Sequence, residues 1–489
     1  MTIRPRGLVS LLGALAFLAA GLAGCTVNPA TGKQDFTAFM SPEQEAKVGR
    51  EQNPKLLAAF GGAYDERPAL SRYVTEIGRR LQAVSEKPSP PFTFTIVNSD
   101  TVNAFALPGG YIYVTRGLLA LANSEAEIAG VIGHEMGHVI ARHTAQRYSR
   151  GVLAQLGALA VGAATGSRSI AQLANLGAAA YVQGFSREQE LEADSLGVRY
   201  LARAGYDPRA MASFLESLEA DSKLARRIAG KEGRDPAASL FASHPRTARR
   251  IAQAVARAGG ARAGKVGHDS YLLRLDGTLW GDDPDQGIRR GREFIHPKLR
   301  FRFEVPPDFH MRNTSKAVVA VARNGAAIVF DGARVPAGIA MADHITVQWF
   351  PKVAWRDVEA ITVNGMAAAT AAARVNTRQG PRDLRAIAIR FDRNQVYRFL
   401  ILTPPEATAG LNEALRRMTY SFRALSAEEA AKVKPLRVRI HEVEAGETVA
   451  RLAARMAVPD YKVERFRVLN GLGPNEALRP GRLVKLIGE

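Results

Sequence analysis

His134-Glu135-Met136-Gly137-His138 sets two imidazoles four residues apart, with a carboxylate beside the first. On a helix this spacing separates the two side chains by about 40° in azimuth and one turn in height, so both rings reach one ion. Zinc suits such a pair. A catalytic zinc takes three protein ligands and leaves one position for water, whose pKa falls to about 7. Glu135 is placed to take the proton as that water attacks a peptide carbonyl. A five-residue pattern also arises by chance, so its helical setting and a third ligand decide its meaning.

Two candidates compete for the third position. His143 follows His138 by five residues, which on a continuous helix turns it about 140° away. It also misses the longer pattern whose third histidine follows a glycine, because Ala141 stands at the glycine's place. His143 is therefore read as structural or as a support behind the ligands. Glu190 and Asp194 are four apart and share one face of a later helix, while Glu192 faces another way. Glu190 can bind zinc while Asp194 orients a ligand imidazole. The alternative is a solvated acidic helix face.

The elements that must carry these groups are legible. Ser124-Glu125-Ala126-Glu127 reads as a capping box, and Ile128, Val131, Ile132, Val139 and Ile140 recur at near-helical spacing, which puts the zinc motif inside a helix. Ser41-Pro42-Glu43-Gln44 starts an earlier helix. Phe92–Val97 alternates like a strand, and Tyr111–Val114 follows the turn signal Pro108-Gly109-Gly110. Residues 151–186 form two uncharged runs of 17 and 18 residues around Arg168, read as two packed helices near the active-site cleft. Helices are also expected over Arg187–Ala204 and Pro245–Arg257.

Four ordered motifs now stand together: Asn103-Ala104-Phe105-Ala106-Leu107-Pro108-Gly109-Gly110, the zinc motif, Ser186-Arg187 ahead of Glu190, and Ser243-His244-Pro245 with Arg250. Over residues 40–257 the chain resembles the zinc peptidase family of BepA, HtpX and the CAAX prenyl endopeptidases. The resemblance implies a gluzincin, with one Zn2+ on His134, His138 and Glu190 and with Glu135 as base. It also implies that His244 lies near the metal, as oxyanion stabiliser or as a latch on the open position; otherwise it is a packing histidine at a helix start. The segment Asn103, Ala104, Phe105, Ala106 onward resembles the family's edge strand, to which a substrate backbone adds by strand pairing, or else it is plain core.

Beyond about residue 265 the texture changes to alternating strands. Phe301–Val305, Ala317–Arg323 joined through Asn324-Gly325 to Ala326–Phe330, His344–Phe350, Leu384–Phe391 and Val396–Leu402 read as strands, and Leu411–Met418 as a helix. This module resembles the sandwich of the photosystem PsbP family and has no cluster with ligand spacing. After a charged linker, Ala424–Lys434, come His441-Glu442-Val443-Glu444-Ala445-Gly446-Glu447-Thr448-Val449, Leu469-Asn470-Gly471-Leu472 and Leu478-Arg479-Pro480-Gly481. They resemble a LysM module, a βααβ fold binding N-acetylglucosamine-containing glycans, although Ala450 replaces a frequent aromatic.

Arg4 and Arg6, an apolar run from Leu8 to Ala23, and Leu22-Ala23-Gly24-Cys25 have the layout of a secretory signal and resemble a lipobox. Cleavage before Cys25, the chain's one cysteine, would leave it lipidated, and Thr26 rather than Asp after it points to the outer membrane. The formal charge of +19 becomes +17 without Arg4 and Arg6. In an exported chain that balance favours anionic headgroups and cell-wall carboxylates, not nucleic acid. The expected layout is multidomain: a lipoprotein signal at 1–24, a mainly α-helical zinc metallopeptidase domain with a small sheet at 25–265, an antiparallel α+β domain at 266–430 and a βααβ LysM-like domain at 435–489. The expected function is a periplasmic zinc metalloendopeptidase, outer-membrane anchored, whose substrates are unfolded or misassembled envelope proteins. Its partners are the membrane, through Cys25, and peptidoglycan. The competing reading is a non-enzymatic cell-wall-binding lipoprotein with a latched zinc site.

Overall fold

The structure is a computed structural model that describes residues 25–153, 184–228, 263–314, 317–377 and 380–489, with His244, Arg250, Gln253 and Ala256. The signal, most of the paired helices expected over 151–186, and all of Pro245–Arg257 but Arg250, Gln253 and Ala256 lie outside the described residues. Among those described, no helix is long and apolar enough to cross a membrane.

The helix Glu125–Ile140, here the motif helix, is buried on nearly every side. Apolar residues and glycines make up most of it and favour the core, and Glu125, Glu127, His134, Glu135 and His138 are buried along with them. Ser124 Oγ accepts from the Glu127 N–H at 3.2 Å, but the box does not close on Ser124, because the Glu127 carboxylate instead accepts from the Asn123 N–H and from Ser213. The helices Pro68–Ala83, Arg187–Arg203 and Ala210–Ile228 pack around the motif helix. Ser186 closes a full capping box at the start of Arg187–Arg203. Small residues let that helix approach closely: a Cβ on Gly133 would lie 3.2 Å from Gly197 Cα, and one on Gly137 3.2 Å from the Ala193 carbonyl.

A three-stranded sheet completes this layer, in the order Thr93–Val97, Tyr111–Thr115, Ala104–Leu107. The first pair is parallel; Ala104–Leu107 runs antiparallel to Tyr111–Thr115 on the outer edge and packs against the motif helix.

The middle domain is a seven-stranded antiparallel sheet facing a four-stranded one and the helix Pro405–Ser421. Phe294, Phe301, Phe303, Phe330, Phe399 and Phe422 fill the space between. The Asn324-Gly325 hairpin forms as expected, with Gly325 at φ 84°. One expected strand does not form. His344–Phe350 alternates in sequence, yet His344–Trp349 is a π-helical turn whose His344 and Ile345 are buried, beside a cluster of Ala369, Ala371, Ala386 and Ala388. The small alanines leave room for a helical turn where a ladder position would have been. Conversely, Met366–Thr377 is a strand that its alanine-rich sequence does not signal. The linker holds a short capped helix, Ala427–Ala431.

The C-terminal module has the βααβ layout: Arg437–Glu442, Val449–Ala454, Lys462–Leu469 and Leu483–Gly488, its two strands antiparallel. It is not a separate bead. Val438, Leu452, Phe466, Val484 and Ile487 share one core with Leu119, Ile128 and Leu279 of the first domain. The chain leaves that core at Trp280 and re-enters at Leu436, where the Trp280 N–H donates to the Leu436 carbonyl at 2.8 Å. Lys485, with 0% of its surface exposed, reaches into the first domain and donates to the carbonyls of Ala120, Leu121 and Ala122 at 2.8, 3.1 and 2.7 Å.

Candidate active site

The motif helix presents His134 and His138 on one face, with Nε2 atoms 3.0 Å apart. The adjoining helix Arg187–Arg203 brings up Glu190, whose carboxylate lies 3.4 Å from His138 Nε2 and 3.8 Å from His134 Nε2. His244 enters from a different part of the chain, with Nδ1 2.9 Å from Glu190 and 3.3 Å from His134 Nε2. One donor atom from each of these four residues lies within 4.8 Å of all the others, and all four side chains are buried. Three imidazole nitrogens and a carboxylate converging out of solvent form a set that a single zinc ion fits. Glu135 stands at the rim, its Oε1 buried, without a hydrogen-bond partner and 3.5 Å from His244 Nε2.

Behind the donors lies a supporting layer. Asp194 Oδ1 is 3.0 Å from His134 Nδ1, and Arg250 grips Asp194 through Nε at 2.6 Å and Nη2 at 2.7 Å while its Nη1 lies 2.6 Å from Glu190. A bidentate guanidinium fixes a carboxylate in plane and direction, so Arg250 positions both acids at once. Sequence reading quoted Arg250 as part of a motif and gave it no task; its six-residue spacing from His244 is the only local trace. Phe185 stacks on His138 at 4.0 Å between centroids, and the Arg147 guanidinium lies over its ring.

His143 reaches its supporting place by a path other than a continuous helix. The motif helix ends at Ile140, and Arg142 takes φ 56°, so His143 does not continue along the same helix. It turns back instead and sets its Nδ1 2.9 Å from His138 Nδ1. It stays outside the donor cluster, as the sequence suggested, yet it touches a member of it.

The electrostatics follow from burial and these pairs. Burial holds His138 well below the usual imidazole range, which favours the neutral, ligating form. Burial would raise Glu190, but His244 and His138 hold it far below the carboxylate range. Asp194 is likewise kept low against its burial by Arg250 and His134. Burial pulls His244 down, yet Glu135 and Glu190 outweigh it and leave it raised.

The edge strand starts just after Asn103, which exchanges backbone and side-chain hydrogen bonds with Thr115. Ala104 is buried, Ala106 is half-buried, and Phe105 stacks between Phe60 and Tyr113. A pocket of about 30 Å³ lined by Val131, Met211, Phe214, Leu215 and Leu218 adjoins His134 and Glu135. A larger cleft, of about 470 Å³, lies away from these donors, where the first domain, the middle domain and the module meet.

A model of peptidase family M48 matches residues 68–258, which contain every residue of this cluster. The metalloprotease LoiP of Escherichia coli is 30% identical over 232 residues, covering 45% of this chain and 83% of that protein. The beta-barrel assembly-enhancing protease of Yersinia pestis is 32% identical over 195 residues, 38% of this chain and 40% of its own, so the matched stretch spans about two fifths of that relative. The solution structure of cyanobacterial PsbP from Synechocystis covers 28% of this chain and 98% of its own at 14% identity and a TM-score of 0.23, too low to carry a fold assignment. With the donor cluster assembled inside the matched residues and one relative matched over most of its length, the chain belongs to peptidase family M48.

Proposed function

We propose that this chain is a zinc metalloendopeptidase of the bacterial envelope, anchored through Cys25, that hydrolyses peptide bonds in misassembled envelope proteins. The convergence of His134, His138, Glu190 and His244, with the buried Glu135 carboxylate 3.5 Å from His244 beside them, carries the reading. Two relatives, a beta-barrel assembly-enhancing protease and a metalloprotease, support a proteolytic role in protein assembly. A zinc ion held by His134, His138 and Glu190 would supply Lewis acidity and lower the pKa of water to about 7. Glu135 takes the proton from the attacking water and returns it to the leaving amine. Asp194 holds the His134 ring in its ligating orientation. A substrate backbone adds to the strand Ala104–Leu107, which lies at the sheet's edge among the described residues, beside the motif helix.

His244 is assigned as a latch. Its ring bridges Glu190 and Glu135, so the base would be engaged by His244 while the latch is closed. Wild type should bind one zinc and cleave casein; Glu135→Gln should keep zinc and lose cleavage by about 10²-fold or more. Equal cleavage by both, or absence of zinc from wild type, refutes the peptidase. His244→Ala separates the two roles of that residue: cleavage rises if it latches and falls if it stabilises the oxyanion.

The module is read as LysM-like and as a peptidoglycan contact, supported by its βααβ order and by its exposed loop residues Glu444–Gly446. Because it shares the first domain's core, the test uses substitutions in those loops rather than deletion of the module. Retention on peptidoglycan unchanged by them removes the glycan role.

A further inference from the structure

The motif helix and the cluster explain one side of His138; the other side leads out of the site. His138 Nε2 faces the donors, so its proton sits on Nδ1 when it ligates. That nitrogen is 2.9 Å from His143 Nδ1, which must then accept. His143, fully buried, is left with its proton on Nε2, and Nε2 lies 3.4 Å from Glu192 Oε2. The other Glu192 oxygen accepts from Asn28 Nδ2 at 3.0 Å. Each donor in this series meets an acceptor, and only one choice of histidine tautomers satisfies it.

Asn28 is buried too, and it belongs to the hairpin formed by Cys25–Val27 and Gln34–Phe36. Asp35 of that hairpin accepts from Asn28 Nδ2 and from Gln146 Nε2, both at 2.9 Å. Arg142, at the break after the motif helix, donates to Thr26 Oγ1 at 3.0 Å and to the Met40 carbonyl at 2.6 Å. Arg199 donates to the Ala30 carbonyl at 3.0 Å. The hairpin is thus seated on the helix Arg187–Arg203 and on the segment that follows the motif helix, with one of its own side chains in the series that ends at His138.

We propose that His143, Glu192 and Asn28 form a positioning chain that orients His138, and that the hairpin beginning at Cys25 is therefore a working part of the metal site. The proposal rests on the zinc reading above. None of the three residues touches the ion; each acts through the next. Hydrogen-bond partners of ligating imidazoles change metal affinity by about 10- to 100-fold when removed.

The test measures zinc affinity of the full chain by chelator competition, together with the absorption spectrum of the Co2+-substituted protein. Glu192→Ala should weaken zinc about tenfold, Asn28→Ala about threefold or more, and both should shift the cobalt bands while the thermal transition persists. Glu192→Gln, which keeps the volume, serves if Glu192→Ala does not fold. Folded variants whose zinc affinity stays within about 1.5-fold of wild type, with wild-type cobalt spectra, overturn the chain and leave the peptidase intact. A wild type that binds no zinc overturns the peptidase reading itself.

Discussion

Replacing Lys485 with Met tests whether the C-terminal module is structurally fused to the peptidase domain. The ammonium fills the end of the helix Arg116–Leu121, where backbone carbonyls have no partner within the helix. Hydrogen bonds from a charged donor contribute about 1.5–3 kcal/mol each, while burying the ammonium costs several kcal/mol. Methionine removes the second term and leaves three acceptors in a dry contact, as well as removing a cation that faces the buried Glu127. Breaking one side of such a buried arrangement costs about 3–5 kcal/mol. For a cooperative unit of this size each kcal/mol moves Tm by about 2–4 °C, so a fall of about 6–20 °C is expected. Differential scanning calorimetry compares Lys485→Met with the exposed control Lys432→Met, which should stay within about 0.5 kcal/mol of wild type. A Tm for Lys485→Met within 2 °C of wild type would show that the module contributes little to this core.

Glu125 accepts hydrogen bonds from Tyr73, Arg80, Tyr206 and Lys265, at 2.7 to 2.9 Å. Burial would raise its pKa, but Lys265 and the two tyrosines hold it at about 2, below the ordinary value of 4.5. Because the folded pKa lies below the unfolded one, its contribution of about 3 kcal/mol is complete above pH 4.5 and disappears as the pH falls toward 2. The urea midpoints of wild type and Glu125→Gln should therefore converge between pH 5 and pH 2; a constant gap contradicts the assignment. Arg250→Lys keeps the charge but not the fork on Asp194, so zinc affinity by chelator competition should fall about tenfold, and an unchanged value removes Arg250 from the support of the site. At Gly49 an added Cβ would lie 2.0 Å from the Pro108 carbonyl, so Gly49→Ala should lower stability in urea by about 1–3 kcal/mol; a neutral result means that the helix Pro42–Ala59 can shift freely.

What the sequence disclosed was whatever a short stretch of chain determines. His134 and His138 share a face because of helix geometry, as do Glu190 and Asp194, and Ser41, Ser186 and Asn324-Gly325 fix an element's start or turn through local hydrogen bonds or backbone freedom. Features set by distant partners were hidden. Glu192 does face away from Glu190, but its meaning depends on His143 and Asn28, which are 49 and 164 residues away in the chain. The left-handed Arg142 that turns His143 back is held by Glu45, Thr26 and Met40, none of them near in sequence. Lys485 reads as one more surface cation until its three carbonyl acceptors are seen. The π-helical His344–Trp349 misled for a related reason, since alternation describes a strand only where a neighbouring strand is free to pair.

The crossing point at Trp280 and Leu436 bears on the order in which the molecule can be assembled. Everything between them, the whole middle domain, is spliced into a core whose remaining strands and helices come from residues 436–487. During synthesis or export from the amino end, the motif helix therefore emerges long before the residues that cover its start. Until Lys485 arrives, the carbonyls of Ala120–Ala122 lack that donor. A chain interrupted within the middle domain would carry every zinc-binding side chain and still lack the closed core that holds them in place. The arrangement thus ties a mature peptidase site to a completed polypeptide.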